Sequence, residues 1–319
     1  MEPVQPIPDL LPGPRVLDGA RLDGLLERVG FAPALTIALG LIVGFLAFQG
    51  LSLVVAFAMI FAGGEVDTAL LGDVGALLAR YAREFLIANT VGQVVGLLAL
   101  AYVFARLHTR QASAFLRFRA PDLPFTLLSL VGLVALVPLV HWLGTVSDGL
   151  PWPESIRNFE AVQMDLIEQV LKQDLGLVFT LLTMAVTPAI CEEAFFRGYI
   201  QRQAERTFSG PMAAVLFSGI VFGLYHLRLT QALPLSVLGI YLAWLTWRSR
   251  SLWPAVLVHF ANNGLAVVVG GLLSRRMEAQ GQDLDSLKIP LSVLLPAIVV
   301  AAAAMYALER RARSVGSEA

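Results

Sequence analysis

Eight stretches of this chain are apolar over lengths close to or above the ~20 residues that a helix needs to cross a bilayer. They lie near residues 33–62, 84–105, 124–146, 175–200, 212–227, 231–247, 252–273 and 290–308. Such a pattern predicts an all-α, polytopic membrane helix bundle of about eight transmembrane helices. The first stretch is long enough to tilt or to project beyond the membrane. The fifth and sixth are short and separated only by Arg228, Leu229 and Thr230, so they read as a tight helical hairpin. Composition agrees: 57% of residues are hydrophobic and 15% charged, against about 25% charged in soluble domains. A net charge of −1 offers no basic face for a nucleic acid. Cys191, the single cysteine, excludes an intramolecular disulfide and a cysteine-rich metal site.

Charge in the connections sets the expected orientation. Arg106, Arg110, Arg117 and Arg119 follow the second stretch, Arg202 and Arg206 the fourth, Arg248 and Arg250 the sixth, and Arg310, Arg311 and Arg313 the eighth. The connection after the third is acidic instead, with Asp148, Glu154, Glu160 and Asp165 among its residues. Arginine and lysine concentrate in cytoplasmic loops, so both termini are expected in the cytoplasm. Lysine occurs only at Lys172 and Lys288, an arginine bias that points to a bacterial inner membrane. The first apolar run, from about Phe31, is too long for the core of a cleavable signal peptide. Residues 1–32 are expected to form a cytoplasmic segment, irregular through the proline-rich Met1–Pro14 and interfacial over Leu17–Val29. Residues 154–172 carry the apolar spacing of an amphipathic helix lying at the outer interface.

Ionisable side chains inside spanning helices cost roughly 2.5–3.5 kcal/mol each on insertion scales and usually mark function. Three helices carry them here. The fourth holds Glu192, Glu193 and Arg197, the fifth Phe222 and His226, and the seventh His259, Asn262 and Asn263. Glu193 and Arg197 are spaced i,i+4 and can pair on one face. Glu192 lies about 100° around the helix and faces elsewhere. His259 and Asn263, again i,i+4, can enter one cavity, and Phe222 lies one turn from His226. A carboxylate and a neutral imidazole can share a water and take its proton. A second histidine and an asparagine amide can donate to the developing oxyanion. The same atoms offer another chemistry: Glu192, His226 and His259 could bind zinc and leave a position for water. No His-Glu-x-x-His pattern is present.

At these residues the chain resembles the CAAX protease and bacteriocin-processing family of intramembrane proteases. The family pattern is Glu-Glu-x-x-x-Arg, Phe-x-x-x-His and His-x-x-x-Asn on successive membrane helices. Glu192, Glu193 and Arg197, then Phe222 and His226, then His259 and Asn263 match every position. The resemblance covers roughly residues 175–270. It implies that Glu192 and His226 activate water, that His259 and Asn263 hold the oxyanion, and that Glu193, Arg197 and Phe222 support them. It further implies an intramembrane endopeptidase, glutamic in type and without a favoured cofactor, acting on a membrane-associated protein or peptide. The expected layout is one transmembrane catalytic domain over 33–309, with a motif-bearing core at 175–273 and a cytoplasmic tail over 310–319.

Two other classes fit the same polar groups. One is a non-catalytic membrane scaffold or immunity-type partner, the other a proton-coupled transporter relaying protons between Glu192 and His226. Four further residues read as structural: His108, His141 and the i,i+4 pair Asn89 and Gln93, the last two as an interhelical hydrogen-bonding pair. A depth conflict also arises. Glu192 and His259 lie ~9–12 Å from the expected cytoplasmic ends of their helices, but His226 lies ~20 Å from its own.

Overall fold

The computed structural model describes residues 16–63, 72, 74–173, 175–278 and 289–317; the proline-rich start of the chain lies outside them. Its longer elements follow the apolar runs. They are α2 (Pro33–Ala62), α4 (Ala82–His108), α6 (Leu123–Asp148), α8 (Leu177–Thr207), α9 (Pro211–Tyr225), α10 (Leu229–Ser249), α11 (Trp253–Glu278) and α12 (Leu291–Ser317). Among the described residues, seven helices are long and apolar enough to cross a membrane: all of these except α9. The protein is an all-α polytopic membrane bundle.

The expected fifth span is the exception. Gly210, at φ 129°, breaks the chain before Pro211 starts α9, and His226 closes the helix after 15 residues. At 1.5 Å per residue α9 is about 22 Å long, short of the roughly 30 Å apolar core of a bilayer. It therefore enters the bundle from one end, turns at Leu227 and Arg228, and returns as α10. Leu227 sits in the left-handed region at φ 53°. The two arms are held close by absent side chains: a Cβ on Gly219 would lie 2.4 Å from the backbone nitrogen of Ile240.

Between Glu192 and His226 the depth conflict is resolved by α8. Read from hydropathy, this helix ends near 200; in the structure it continues through polar residues to Thr207. Glu192 is the fifteenth residue back from Thr207 and His226 the fifteenth on from Pro211. Both therefore sit about 22 Å from the same end of the bundle.

The polar extension of α8 is stabilised by the N-terminal segment. An interfacial helix over Leu17–Val29 does not form. β1 (Val16–Leu17) pairs antiparallel with β2 (Ala20–Arg21) across an Asp18-Gly19 turn, and α1 (Leu25–Arg28) is a single turn. Asp-Gly is a strong hairpin signal because both residues tolerate positive φ, and here φ is 47° at Asp18 and 80° at Gly19. Asp18 pairs with Arg117 at 2.9 Å and with the buried Arg202 at 2.8 Å. Glu27 pairs with His108 at 2.6 Å and Arg206 at 2.7 Å. Three of the arginines that mark this end as basic in sequence, Arg117, Arg202 and Arg206, are thus ion-paired onto the N-terminal segment.

Three helices remain. α3 (Val74–Arg80) and α5 (Ala112–Phe115) are short connectors. α7 (Glu154–Lys172) packs at the far end against α3, α4 and α11. Two apolar clusters fill the bundle. One joins α2 and α4 to α8 and α9, the other joins α6, α10, α11 and α12. The motif residues lie where they adjoin.

Candidate active site

Glu192 and Glu193, adjacent on α8, occupy opposite environments. The Glu193 side chain is 0% exposed and the Glu192 side chain 12%. Glu193 Oε1 accepts from Arg197 Nη1 at 2.8 Å, one turn on. Arg197 reaches across to α10 and donates from Nη2 to the Gly239 carbonyl at 3.0 Å. Its guanidinium also stacks 4.2 Å from the centre of the Phe222 ring. One buried cation thereby ties α8 to both arms of the α9–α10 hairpin.

The same Glu193 oxygen accepts from His259 Nδ1 at 2.8 Å. That bond commits the Nδ1 proton and turns His259 Nε2 away from Glu193, where it lies 4.0 Å from Glu192 Oε2. His226, the residue that ends α9, is oriented in a parallel manner. Its Nδ1 donates to the Phe222 carbonyl at 2.8 Å, and its Nε2 lies 3.9 Å from Glu192 Oε2. A carbonyl can only accept, so the tautomer of neutral His226 is fixed with the Nε2 lone pair toward Glu192. The Phe222 ring stands edge-on between the imidazoles, 4.8 Å from His226 and 5.8 Å from His259.

Asn263 completes the group from α11. Its Oδ1 accepts from Asn262 Nδ2 at 3.1 Å, which sets the amide orientation, and its Nδ2 donates to the Met184 carbonyl at 3.3 Å. Met184 belongs to a π-helical turn over Leu182–Val186, and a second one, Ala194–Ile200, begins directly after Glu193. π-turns displace backbone groups from the regular ladder and recur at functional sites.

Glu192, His226 and Asn263 line one cavity of about 650 Å³, which α2, α4 and α7 also wall. Glu192 Oε2 has no hydrogen-bond partner. Separations of 3.9 and 4.0 Å exceed a direct hydrogen bond and fit a bridging water. Among the described residues, no group of three His, Cys, Asp or Glu has the spacing to hold a metal ion. Cys191 is buried in the apolar core beside the site. His108 is fully buried in the Glu27 network, and His141 lines a separate cavity of about 510 Å³ beside α7.

Two residues carry no expectation of a site role: Gln93 at the cavity that holds Glu192 and Glu160 at the separate one beside α7. Gln93 has a side-chain oxygen that is buried and without a partner. Glu160 of α7 accepts from the Leu229 and Thr230 amides and, at 2.6 Å, from Thr230 Oγ1. It thereby caps α10 just after His226.

No curated protein and no solved structure matches the chain. Residues 174–265 match the family model described as type II CAAX prenyl endopeptidase Rce1-like. That segment contains Glu192, Glu193, Arg197, Phe222, His226, His259 and Asn263, and over it the chain matches the CAAX protease and bacteriocin-processing family of intramembrane endopeptidases.

Proposed function

We propose that the protein hydrolyses a peptide bond of a membrane-associated protein or peptide, with a water activated by Glu192 and His226 and without a covalent intermediate. The observation that carries this reading is the position of Glu192 Oε2, unpartnered and 3.9 and 4.0 Å from two imidazole Nε2 atoms. A water between Glu192 and His226 donates a hydrogen bond to each and keeps a lone pair for the carbonyl carbon; as the new C–O bond forms, one of the two bases takes one of its protons. The oxyanion forms against His259 and Asn263. His259 donates from Nε2 when it carries its second proton, while Nδ1 stays bound to Glu193. Asn263 donates from the N–H that Met184 leaves free. The proton held by Glu192 or His226 then passes to the departing amine.

Glu193 and Arg197 orient His259 and Phe222 rather than touch substrate. The end of the bundle that carries the N-terminal hairpin is the cytoplasmic end, with both termini there, in keeping with the arginine-rich connections. The layout of one catalytic domain over 33–309, with its core at 175–273, accompanies this reading. No metal is required in this scheme; in the metal-dependent alternative, zinc would be held by Glu192, His226 and His259.

The test is cleavage of a mixed peptide library by proteoliposomes, read by mass spectrometry. Glu192→Ala and His226→Ala should each lower the rate at least about 100-fold, with unchanged thermal unfolding. A chelator should leave the wild-type rate unaltered. Normal cleavage by either variant ends the assignment of roles, and loss of activity with chelator moves the chemistry to the metal. A wild type that cleaves nothing favours a non-catalytic membrane partner.

A further inference from the structure

Hydrolysis inside lipid meets a problem before chemistry begins. A helical substrate hides its carbonyls in its own ladder, so the scissile segment must be extended. Extension in lipid strips backbone groups of partners, at several kcal/mol per group. The cavity must therefore supply replacement hydrogen bonds beyond those made to the reacting carbonyl.

One wall is built for that task. Asn89 and Gln93 are spaced i,i+4 on the regular part of α4 and line the same cavity as Glu192 and His226. The sequence reading of this pair as an interhelical bond is not what forms: among the described residues, neither carboxamide bonds another helix. Gln93 is only 4% exposed, and its Oε1 has no partner. A desolvated, unpaired acceptor is costly and calls for an explanation.

The backbone around it is specialised as well. A π-helical turn over Val94–Ala99 starts at the residue after Gln93. Gly92 and Gly96 flank Gln93 and let α2 approach: a Cβ on Gly92 would lie 2.7 Å from the Phe48 carbonyl and one on Gly96 2.5 Å from the Phe48 nitrogen. The segment Thr187–Glu193 of α8 packs directly against this part of α4.

The spacing matches an extended chain. Two side chains i,i+4 on a helix are about 6 Å apart along its axis. Peptide groups facing the same way along a strand repeat at about 6.7 Å. A carboxamide both donates and accepts, so each can bond one peptide group whatever side chains the substrate carries.

We infer that Asn89 and Gln93 form a docking wall that hydrogen-bonds the backbone of an extended peptide segment lying across the cavity from Glu192 and His226. Both are positioning residues. The inference deepens the endopeptidase reading and rests on it for the identity of the ligand.

Binding separates the two. Glu192→Gln protein in vesicles is loaded with a capped decapeptide library or with its backbone N-methylated twin, and retained peptide is measured by mass spectrometry. The parent library should be retained at least about tenfold better by Glu192→Gln than by Glu192→Gln combined with Asn89→Leu and Gln93→Met. N-methylation should erase that advantage. Asn89→Gln, which keeps a carboxamide, should stay near the parent, and melting temperatures identify any variant that fails to fold. Asn89→Leu alone, at a half-buried position, gives a second measurement.

Equal retention with and without the carboxamides overturns the inference. So does an N-methylated library that still distinguishes the two proteins. Wild-type cleavage is not part of this readout, so a protein that cleaves nothing but shows the binding pattern loses the proposed chemistry and keeps the docking wall.

Discussion

Glu160 of α7 accepts a 2.6 Å hydrogen bond from Thr230 Oγ1 and two more from the first amides of α10. One carboxylate from a separate helix thus satisfies a helix start whose own Arg228 supplies no cap. Gln163, Ile167 and Val170 of α7 line the cavity that holds Glu192, so this contact also fastens a wall to the turn that follows His226.

Loss of that carboxylate should loosen both. Glu160→Ala is expected to cost about 1–2 kcal/mol, as loss of a cap does. In proteoliposomes it should lower kcat while leaving Asn89 and Gln93 intact for binding. Thermal unfolding and the KM-against-kcat split check this. An unchanged melting temperature would show that α7 is held by its other contacts.

The Glu193–Arg197 pair gives a double-mutant prediction. Arg197→Met leaves a buried carboxylate uncompensated and should destabilise by about 3–5 kcal/mol. Adding Glu193→Gln removes that charge and should recover part of the loss, so the effects are strongly non-additive. Activity should not recover with stability, because His259 loses the carboxylate that fixes its ring. Additive losses would contradict a coupled unit.

Acid should release the N-terminal hairpin. Burial opposes ionisation of Asp18, but the Arg117 and Arg202 charges outweigh it and hold its pKa below the ordinary 3.8. Glu27, also partly desolvated, is held below the ordinary 4.5 by its hydrogen bond from His108 and by Arg206. Lowered folded-state values mean that this stability is present in full above the ordinary values and is lost as pH falls through the lower ones. Hydrogen exchange over 16–28 should therefore rise steeply below about pH 4. Asp18→Asn should raise it already at neutral pH. Protection that persists to pH 2 would rule out the ion pairs as the anchor.

Helix approach supplies a steric prediction. Gly219→Ala places a methyl against the Ile240 backbone, where nothing flexible can give way. It should destabilise by about 1–3 kcal/mol, as overpacking does. Gly50→Ala, with open space around it, is the matched control and should be neutral. Similar melting temperatures for both would mean that the α9–α10 hairpin can open.

Legibility followed the physics of each segment. Apolar runs announced α2 to the residue, because lipid demands an unbroken helix. They misplaced the end of α8, because Gln201–Thr207 are polar yet enclosed by the N-terminal segment. Six of the seven motif side chains were visible as polar residues in apolar surroundings, Phe222 only by its place one turn from His226, and i,i+4 spacing paired Glu193 with Arg197. What spacing could not supply was the second bond of each histidine, since Phe222 O is a backbone atom and Glu193 lies on another helix. Gln93 was visible as half of a polar pair, but its lack of a partner exists only in three dimensions. Glu160 was hidden among the charges of an amphipathic helix. Asp18-Gly19 was a readable turn signal within a segment whose apolar spacing suggested a helix.

The two Nδ1 bonds have a consequence for the resting protein. With Nδ1 of His226 engaged by the Phe222 carbonyl and Nδ1 of His259 by Glu193, both Nε2 atoms and Glu192 Oε2 face one common gap. A hydrogen-bearing guest that enters this gap between the carboxylate and unprotonated Nε2 atoms is oriented by what it must give away.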